Sequence, residues 1–388
     1  MTVESILFSL IRSEILESVP DGNIQEFLTE ERYKELYLLS KKHDVDHLVA
    51  SALSSIDLLK EDEVSARFSH QLMLALHRDK QREYALELTG KTLEEAQIPY
   101  IPLKGAVLQH LYPRSFLRTS CDIDVLIKNE DTDAAEKALI SAGFLRMDDC
   151  STHDYNYTAP NKMHLELHFT LTQEGTLSMC NPTLEAVWDR YAVVQKGEYC
   201  YGLTPEFFTL YHLAHLGQHL LHGGCGIRPF VDMWLIERNW ALDHQKLQTM
   251  LAESGLEALY ATSVKLSKVF MEDASCDDQT AQLAEYVLRG GVYGTASNAA
   301  QVKAAKGTGK VKSFFNLVFL PSKNLQVLYP GLKKHPALLP FYQVKRWFRI
   351  FNKEKRQKIK NLTNARNSVS TEETNATKNL LEGLGLIK

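Results

Sequence analysis

Apolar residues recur at three- and four-residue spacing over Glu4–Val19, Glu30–Lys42 and Glu63–Ala96, the period of helices with one buried face. Pro20-Asp21-Gly22 reads as a turn between the first two. Residues 1–95 therefore read as a helical N-terminal region with no cluster suited to chemistry. The period changes at Ile98. Ile98–Leu103 is short, apolar and β-prone, and its prolines suit an edge or a strand end. Lys104-Gly105 follows, and Ala106–Leu111 returns to helical spacing. Cys121–Ile127 predicts a second strand, with Cys121, Ile123 and Val125 turned to the core. Asp131–Ala142 predicts a helix closed by Gly143. Phe144–Met147, Tyr155–Thr158 and Met163–Thr170 predict further strands. Residues 96–203 thus form a mixed α/β core. Thr204 and Pro205 have the character of a cap and a first helical position. Helices are expected over 205–221, 227–240, 242–253, 256–271 and 277–289, within a helical C-terminal domain spanning 204–360. The Ser/Thr/Asn-rich stretch from Asn361 predicts a flexible tail over 361–388. The fold class is α+β: a small mixed sheet with helical additions on both sides in sequence.

Composition narrows the class without naming an activity. Hydrophobic residues make up 44% and charged residues 24% of the 388 positions, which excludes wholesale disorder. A net charge of −4 gives no global case for nucleic-acid binding. Six scattered cysteines without a CxxC pair fit a reducing compartment, so a cytoplasmic location is expected. The first residues carry acids and lack a basic leader, unlike a signal peptide. Phe207–Ile227 holds no Asp, Glu, Lys or Arg, but its four histidines and its glycines argue against a membrane span.

The chemistry-bearing pattern is Asp122-Ile123-Asp124-Val125-Leu126-Ile127. In a strand, positions i and i+2 face the same way, so both carboxylates share one face. Adjacent carboxylates repel unless a cation lies between them. Mg²⁺ takes oxygen ligands, commonly one or two carboxylates together with substrate phosphates. Upstream, Leu103-Lys104-Gly105 joins a strand to a helix, where free N–H groups and the Lys104 cation suit a phosphate. Downstream, Met163–Phe169 alternates cleanly. His164, Glu166 and His168 share the polar face, and Glu166 is the candidate third carboxylate. Arg118, four residues before Asp122, either steers a triphosphate, a group that arginine reads bidentately, or holds the strand through an ion pair.

The order Leu103-Lys104-Gly105, Arg118, Asp122–Ile127, Gly143-Phe144 and Leu165-Glu166-Leu167-His168 resembles the uncharacterised nucleotidyltransferase family of the DNA polymerase beta-like superfamily. Leu213–His219, Arg228, Asp232 and Gly291–Gly294 extend the resemblance, which covers roughly 75–360 with its specific motifs in 98–170. The resemblance implies two divalent ions, Mg²⁺ or Mn²⁺, bound with a nucleoside triphosphate (ATP or another NTP) by Asp122, Asp124 and Glu166. An acceptor hydroxyl or similar nucleophile then attacks the α-phosphate and pyrophosphate leaves. Gly105 would lie at the phosphate turn with Lys104 and Arg118 beside it, and Glu166 would help deprotonate the acceptor. Two departures stand out. Ala106 follows Gly105 where the superfamily prefers Gly or Ser, and the third acid is Glu166 where relatives often carry Asp. The alternative is a catalytically inactive nucleotide-binding or interaction module on the same fold. The acceptor class is open: a small molecule, a saccharide or a protein.

His212, His215, His219 and His222 form a helical stripe. His215 and His219, at i,i+4, have the spacing of a metal pair, but no HExxH accompanies them. His168, His215, His219, Arg228 and Asp232 are the candidates for an acceptor pocket. The spacing of Arg228 and Asp232 also permits a mutual ion pair. Lys306–Lys310 fails the phosphate-loop pattern because Val311 follows Lys310. Residues 345–360 hold eight Lys/Arg with interleaved aromatics, a pattern that suits a packed, solvated helix or contact with a membrane surface or nucleic acid.

Overall fold

The computed structural model describes residues 1–147, 151–172, 175–292, 294–306, 336–350 and 370–387, with single positions at 319, 322, 325 and 332. The N-terminal helices are α1 (Val3–Leu16), α2 (Ile24–Phe27), α3 (Glu30–Lys42), α4 (Asp46–Ser55) and α5 (Glu63–Glu95). The expected helices are present, and α2 and α4 are additions to them. Asp62 starts α5 by accepting from the backbone N–H groups of Val64 and Ser65, both at 2.9 Å. At 33 residues this helix is roughly 50 Å long. Its first half packs Phe68 against Tyr33 and Tyr37, and its second half buries Ala85 and Leu93 under the sheet.

The strands are β1 (Tyr100–Pro102), β2 (Asp122–Ile127), β3 (Leu145–Arg146), β4 (Asp154–Thr158), β5 (His164–His168), β6 (Ala192–Lys196) and β7 (Cys200–Leu203). They form a seven-stranded mixed sheet in the order β3-β4-β5-β2-β1-β7-β6. β2 runs parallel to β5 and antiparallel to β1. Sequence reasoning missed β6 and β7. It also placed Cys121 in the core, whereas the strand starts at Asp122 and Cys121 is exposed.

The two faces of β2 and β5 have different fates. Ile123, Val125, Ile127, Leu165 and Leu167 are fully buried against α5 and α7 (Thr132–Ser141). The opposite face carries Asp122, Asp124, Glu166 and His168. The short α6 (Gly105–Leu108) and α9 (Pro205–His222) border it, and the remaining helices in chain order are α8 (Asn181–Glu185), α10 (Arg228–Asn239), α11 (His244–Ser254), α12 (Glu257–Glu272), α13 (Asp278–Gly290) and α14 (Ala296–Ala305). The N-terminal helices share one apolar cluster with α9, α10, α12 and α13. Phe8 of α1 stacks on Phe270 of α12 with ring centroids 4.3 Å apart.

Helix α15 covers Leu339–Ile350, so the basic stretch 345–360 lies largely outside the described residues, as do 307–310. The tail differs from expectation. Thr371–Gly383 forms α16, packed on α13 and α14 with Leu380, Leu381, Leu384 and Leu386 buried. Its start is a capping box, with Ser370 and Glu373 bonding each other's backbone N–H. Polar composition hid a short apolar stripe at its end.

Candidate functional site

The register of β2 against β5 builds the site. Asp124 lies directly beside Glu166, Asp122 beside His164 and Leu126 beside His168. Neighbouring positions on paired strands bring side chains of one face together. Accordingly, one ligand atom from each of Asp124, Glu166 and His168 lies within 4.8 Å of the others, a set able to hold a metal ion. His168 Nε2 donates to Asp124 Oδ1 at 2.9 Å and lies 3.5 Å from Glu166 Oε2. Asp122 stands one register step away from this cluster, where its carboxylate accepts from Ser120 Oγ at 2.5 Å. The expected trio thus becomes a cluster in which His168 joins Asp124 and Glu166. The signal was present in the sequence, because His168 follows Glu166 by two residues on the same face.

The second component is the turn before α6. Lys104 Nζ donates to Asp124 Oδ1 at 2.6 Å. Lys104 has φ 43° and ψ −114°, a backbone conformation that costs an ordinary residue about 1–3 kcal/mol. The turn is closed by Ala106 N donating to Leu103 O at 3.1 Å and joined to β2 by Leu103 N donating to Asp124 O at 2.9 Å. Gly105 suits a close approach, since a Cβ there would stand 3.3 Å from Ser120 Cβ and Ser120 would have to give by a few tenths of an ångström. Burial disfavours ionisation of Asp124, but Lys104 and His168 outweigh it and hold the carboxyl well below its usual range. Burial likewise opposes a charge on His168, and its bonds to Asp124 and Glu166 prevail and raise its pKa.

Arg118 is engaged elsewhere. Its guanidinium grips Asp232 of α10 bidentately, with Nε to Oδ1 at 2.9 Å and Nη2 to Oδ2 at 3.0 Å. Tyr112 Oη donates to the same Oδ1 at 2.8 Å. Arg118 thus forms an ion pair whose partner is Asp232 of α10, and it also lines the smaller cavity described below. The i,i+4 pair between Arg228 and Asp232 does not form. Arg228 instead bonds Asp44 and the Thr119 carbonyl. Neither partner was legible locally: Arg118 and Asp232 lie 114 residues apart in sequence.

Two adjoining cavities share Lys104 and His215. The larger, about 350 Å³, is lined by Glu166, His168, His153, Thr170, Thr172 and Tyr211 among others. The smaller, about 160 Å³, is lined by Arg118, His212, His215, His219, Arg228 and Asp232 among others. His219 and His215 meet through their Nε2 atoms at 3.2 Å. Burial, reinforced by the Lys104 charge, drives His215 well below its ordinary pKa and His219 down to about 4, so both are neutral imidazoles. His212 bonds the Pro229 carbonyl at 3.1 Å and ties α9 to α10. Thr170 and Thr172 were missed as lining residues, although they continue the alternation of β5 beyond His168.

The sequence model of the uncharacterised nucleotidyltransferase family matches residues 29–272, well over half the chain. The chain belongs to that family. Membership supports a general nucleotidyltransferase role. The matched span holds Lys104, Gly105, Arg118, the acids of β2 and β5, and Asp232, whereas α13 to α16 lie beyond it. No curated protein and no solved structure gives a significant match. No helix among the described residues is long and apolar enough to cross a membrane.

Proposed function

We propose that the chain transfers an NMP group from a nucleoside triphosphate to an acceptor hydroxyl or similar nucleophile, releasing pyrophosphate. The observation that carries this reading is the side-by-side register of Asp124 and Glu166 on parallel strands, with His168 beside them at the wall of a cleft. The donor set fits a divalent ion: two carboxylates and an imidazole converge, and oxygen donors suit Mg²⁺ or Mn²⁺. Asp124 and Glu166 would hold it, and Asp122, on the same strand face, would join them when a second ion arrives with the triphosphate. When bound, the metal supplies electrostatic stabilisation of the transferring phosphoryl group.

The protein's own groups have distinct tasks. Lys104 and the Gly105 turn face the phosphates. Glu166, at the cleft wall, takes the proton of the acceptor oxygen as that oxygen forms its bond to the α-phosphorus. The bond from the α-phosphorus to the bridging oxygen breaks, and its electron pair leaves with pyrophosphate. His168 fixes the Asp124 and Glu166 carboxylates through its ring N–H. The neutral His215 and His219 line the route for an acceptor, be it a small molecule, a saccharide or a protein side chain, and the Arg118–Asp232 pair holds the wall behind them without meeting the acceptor. We place the reaction in the cytoplasm, in keeping with cysteines that form no disulfide among the described residues.

The test is calorimetric titration with each of the four NTPs, with and without Mg²⁺ or Mn²⁺, on the wild type and on the Asp122→Asn/Asp124→Asn double variant. Metal-dependent binding that disappears in the double variant is expected. Binding that is independent of metal and survives in the variant contradicts the reading and favours the inactive module.

A further inference from the structure

Lys104 has two features that a plain phosphate-binding lysine does not need. Its ammonium bonds the very oxygen of Asp124 that also accepts from His168, at 2.6 and 2.9 Å. Its backbone is held at φ 43°, a conformation that glycine would adopt without strain. The turn cannot readily relax, because Leu103 N is bonded to the Asp124 carbonyl and Gly105 abuts Ser120. The main chain therefore aims position 104 at Asp124, while the four-carbon stem stays adaptable. Lys104 also lines both cavities, so its ammonium can reach ligands in either without movement of the turn.

We infer that Lys104 is a built-in counter-cation for Asp124 that a divalent ion must displace, and that the released ammonium then pairs with the triphosphate. The inference rests on the metal-dependent reading above. Its physical basis is exclusion. A divalent ion sits about 2.0–2.1 Å from a carboxylate oxygen, and an ammonium bonded to that same oxygen would lie close enough to repel it strongly. Metal alone then binds weakly, since it must evict a resident cation. Metal arriving with a triphosphate binds well, because the evicted ammonium gains a new anionic partner. The exchange makes metal and nucleotide binding mutually dependent and keeps the Asp124 carboxylate compensated between turnovers.

Electron paramagnetic resonance titration with Mn²⁺ alone, on the full chain, tests the exchange. Lys104→Met and Lys104→Gly should bind Mn²⁺ about tenfold more tightly than the wild type, because a resident repulsive charge is gone. Lys104→Arg, which keeps a cation, should bind no more tightly than the wild type. Lys104→Gly removes the charge without backbone strain, so it remains informative if the Met variant folds poorly. With NTP present the order should reverse, and the Met and Gly variants should bind Mn²⁺·NTP about tenfold more weakly than the wild type. Equal Mn²⁺ affinity in the wild type and both neutral variants overturns the counter-cation and leaves the nucleotidyltransferase reading intact. Tighter Mn²⁺ binding with unchanged NTP affinity overturns the hand-over to the triphosphate. Failure of every variant to bind Mn²⁺, with or without NTP, overturns the metal-dependent reading and the exchange with it.

Discussion

Two buried carboxylates, Asp124 and Asp232, each face a cation, and the contrast between them separates scaffold from chemistry. Asp232 has both oxygens gripped by the Arg118 fork, with Tyr112 adding a further bond, and its side chain is 1% exposed. Asp124 is 5% exposed but meets a point charge, Lys104, whose side chain is 23% exposed. Among the described residues, its side-chain bonds converge on Oδ1 alone. A planar fork satisfies a carboxylate and locks geometry, whereas a flexible ammonium neutralises it and can leave. Asp232 therefore reads as a clamp that fixes the 112–120 loop to α10, and Asp124 as a group kept ready for another cation.

The largest expected effect is on the clamp. Asp232→Asn leaves Arg118 buried without compensation and should lower stability by about 3–5 kcal/mol, read by urea unfolding. Asp124→Asn should cost much less, because Lys104 can turn to water, yet it should eliminate metal-dependent NTP binding. Equal destabilisation by the two changes would erase the distinction.

Next comes Tyr112→Phe, which removes one hydrogen bond to a buried charge and should cost about 1.5–3 kcal/mol. Mn²⁺ and NTP affinities should stay as in the wild type. An altered affinity would mean that the clamp belongs to the binding site.

The two carboxylates should also share an acid limit. Burial opposes ionisation of Asp232, but Arg118 and the other facing groups outweigh it and hold its pKa below the ordinary range; Asp124 is lowered as well. A depressed folded pKa contributes stability above the unfolded value of about 3.9, and that contribution is lost as pH falls below it. Urea midpoints should therefore drop steeply below about pH 4, and less steeply in Asp232→Asn. An unchanged slope in that variant would contradict an ionised Asp232.

The smallest effect lies far from both carboxylates. Ser370→Ala breaks the capping box of α16 and should cost about 1 kcal/mol, with no change in ligand binding. A null result in thermal unfolding would argue that α16 adds nothing to the fold.

Much of this was legible in the chain. The alternation in Asp122–Ile127 and His164–His168 assigned each residue to its face, because strand period depends only on local sequence. The pairing of Asp124 with Glu166 was not readable, since register between strands some forty residues apart follows from β4 and the helices between them. His168 was placed with the acceptor pocket, although its i+2 relation to Glu166 also allowed the cluster. Arg118 with Asp232, and Arg228 with Asp44, depend on how α10 docks, which spacing cannot encode. The strand β6 was missed, and α16 was obscured by polar composition despite the Ser370–Glu373 signal.

The most direct measurement is anomalous diffraction from crystals grown with Mn²⁺ and a non-hydrolysable nucleoside triphosphate. The account expects a manganese peak at ligand distance from Asp124 and Glu166, with the Lys104 ammonium on the triphosphate and the Arg118–Asp232 fork unchanged. A nucleotide bound without manganese at these carboxylates, or manganese held elsewhere, would contradict it.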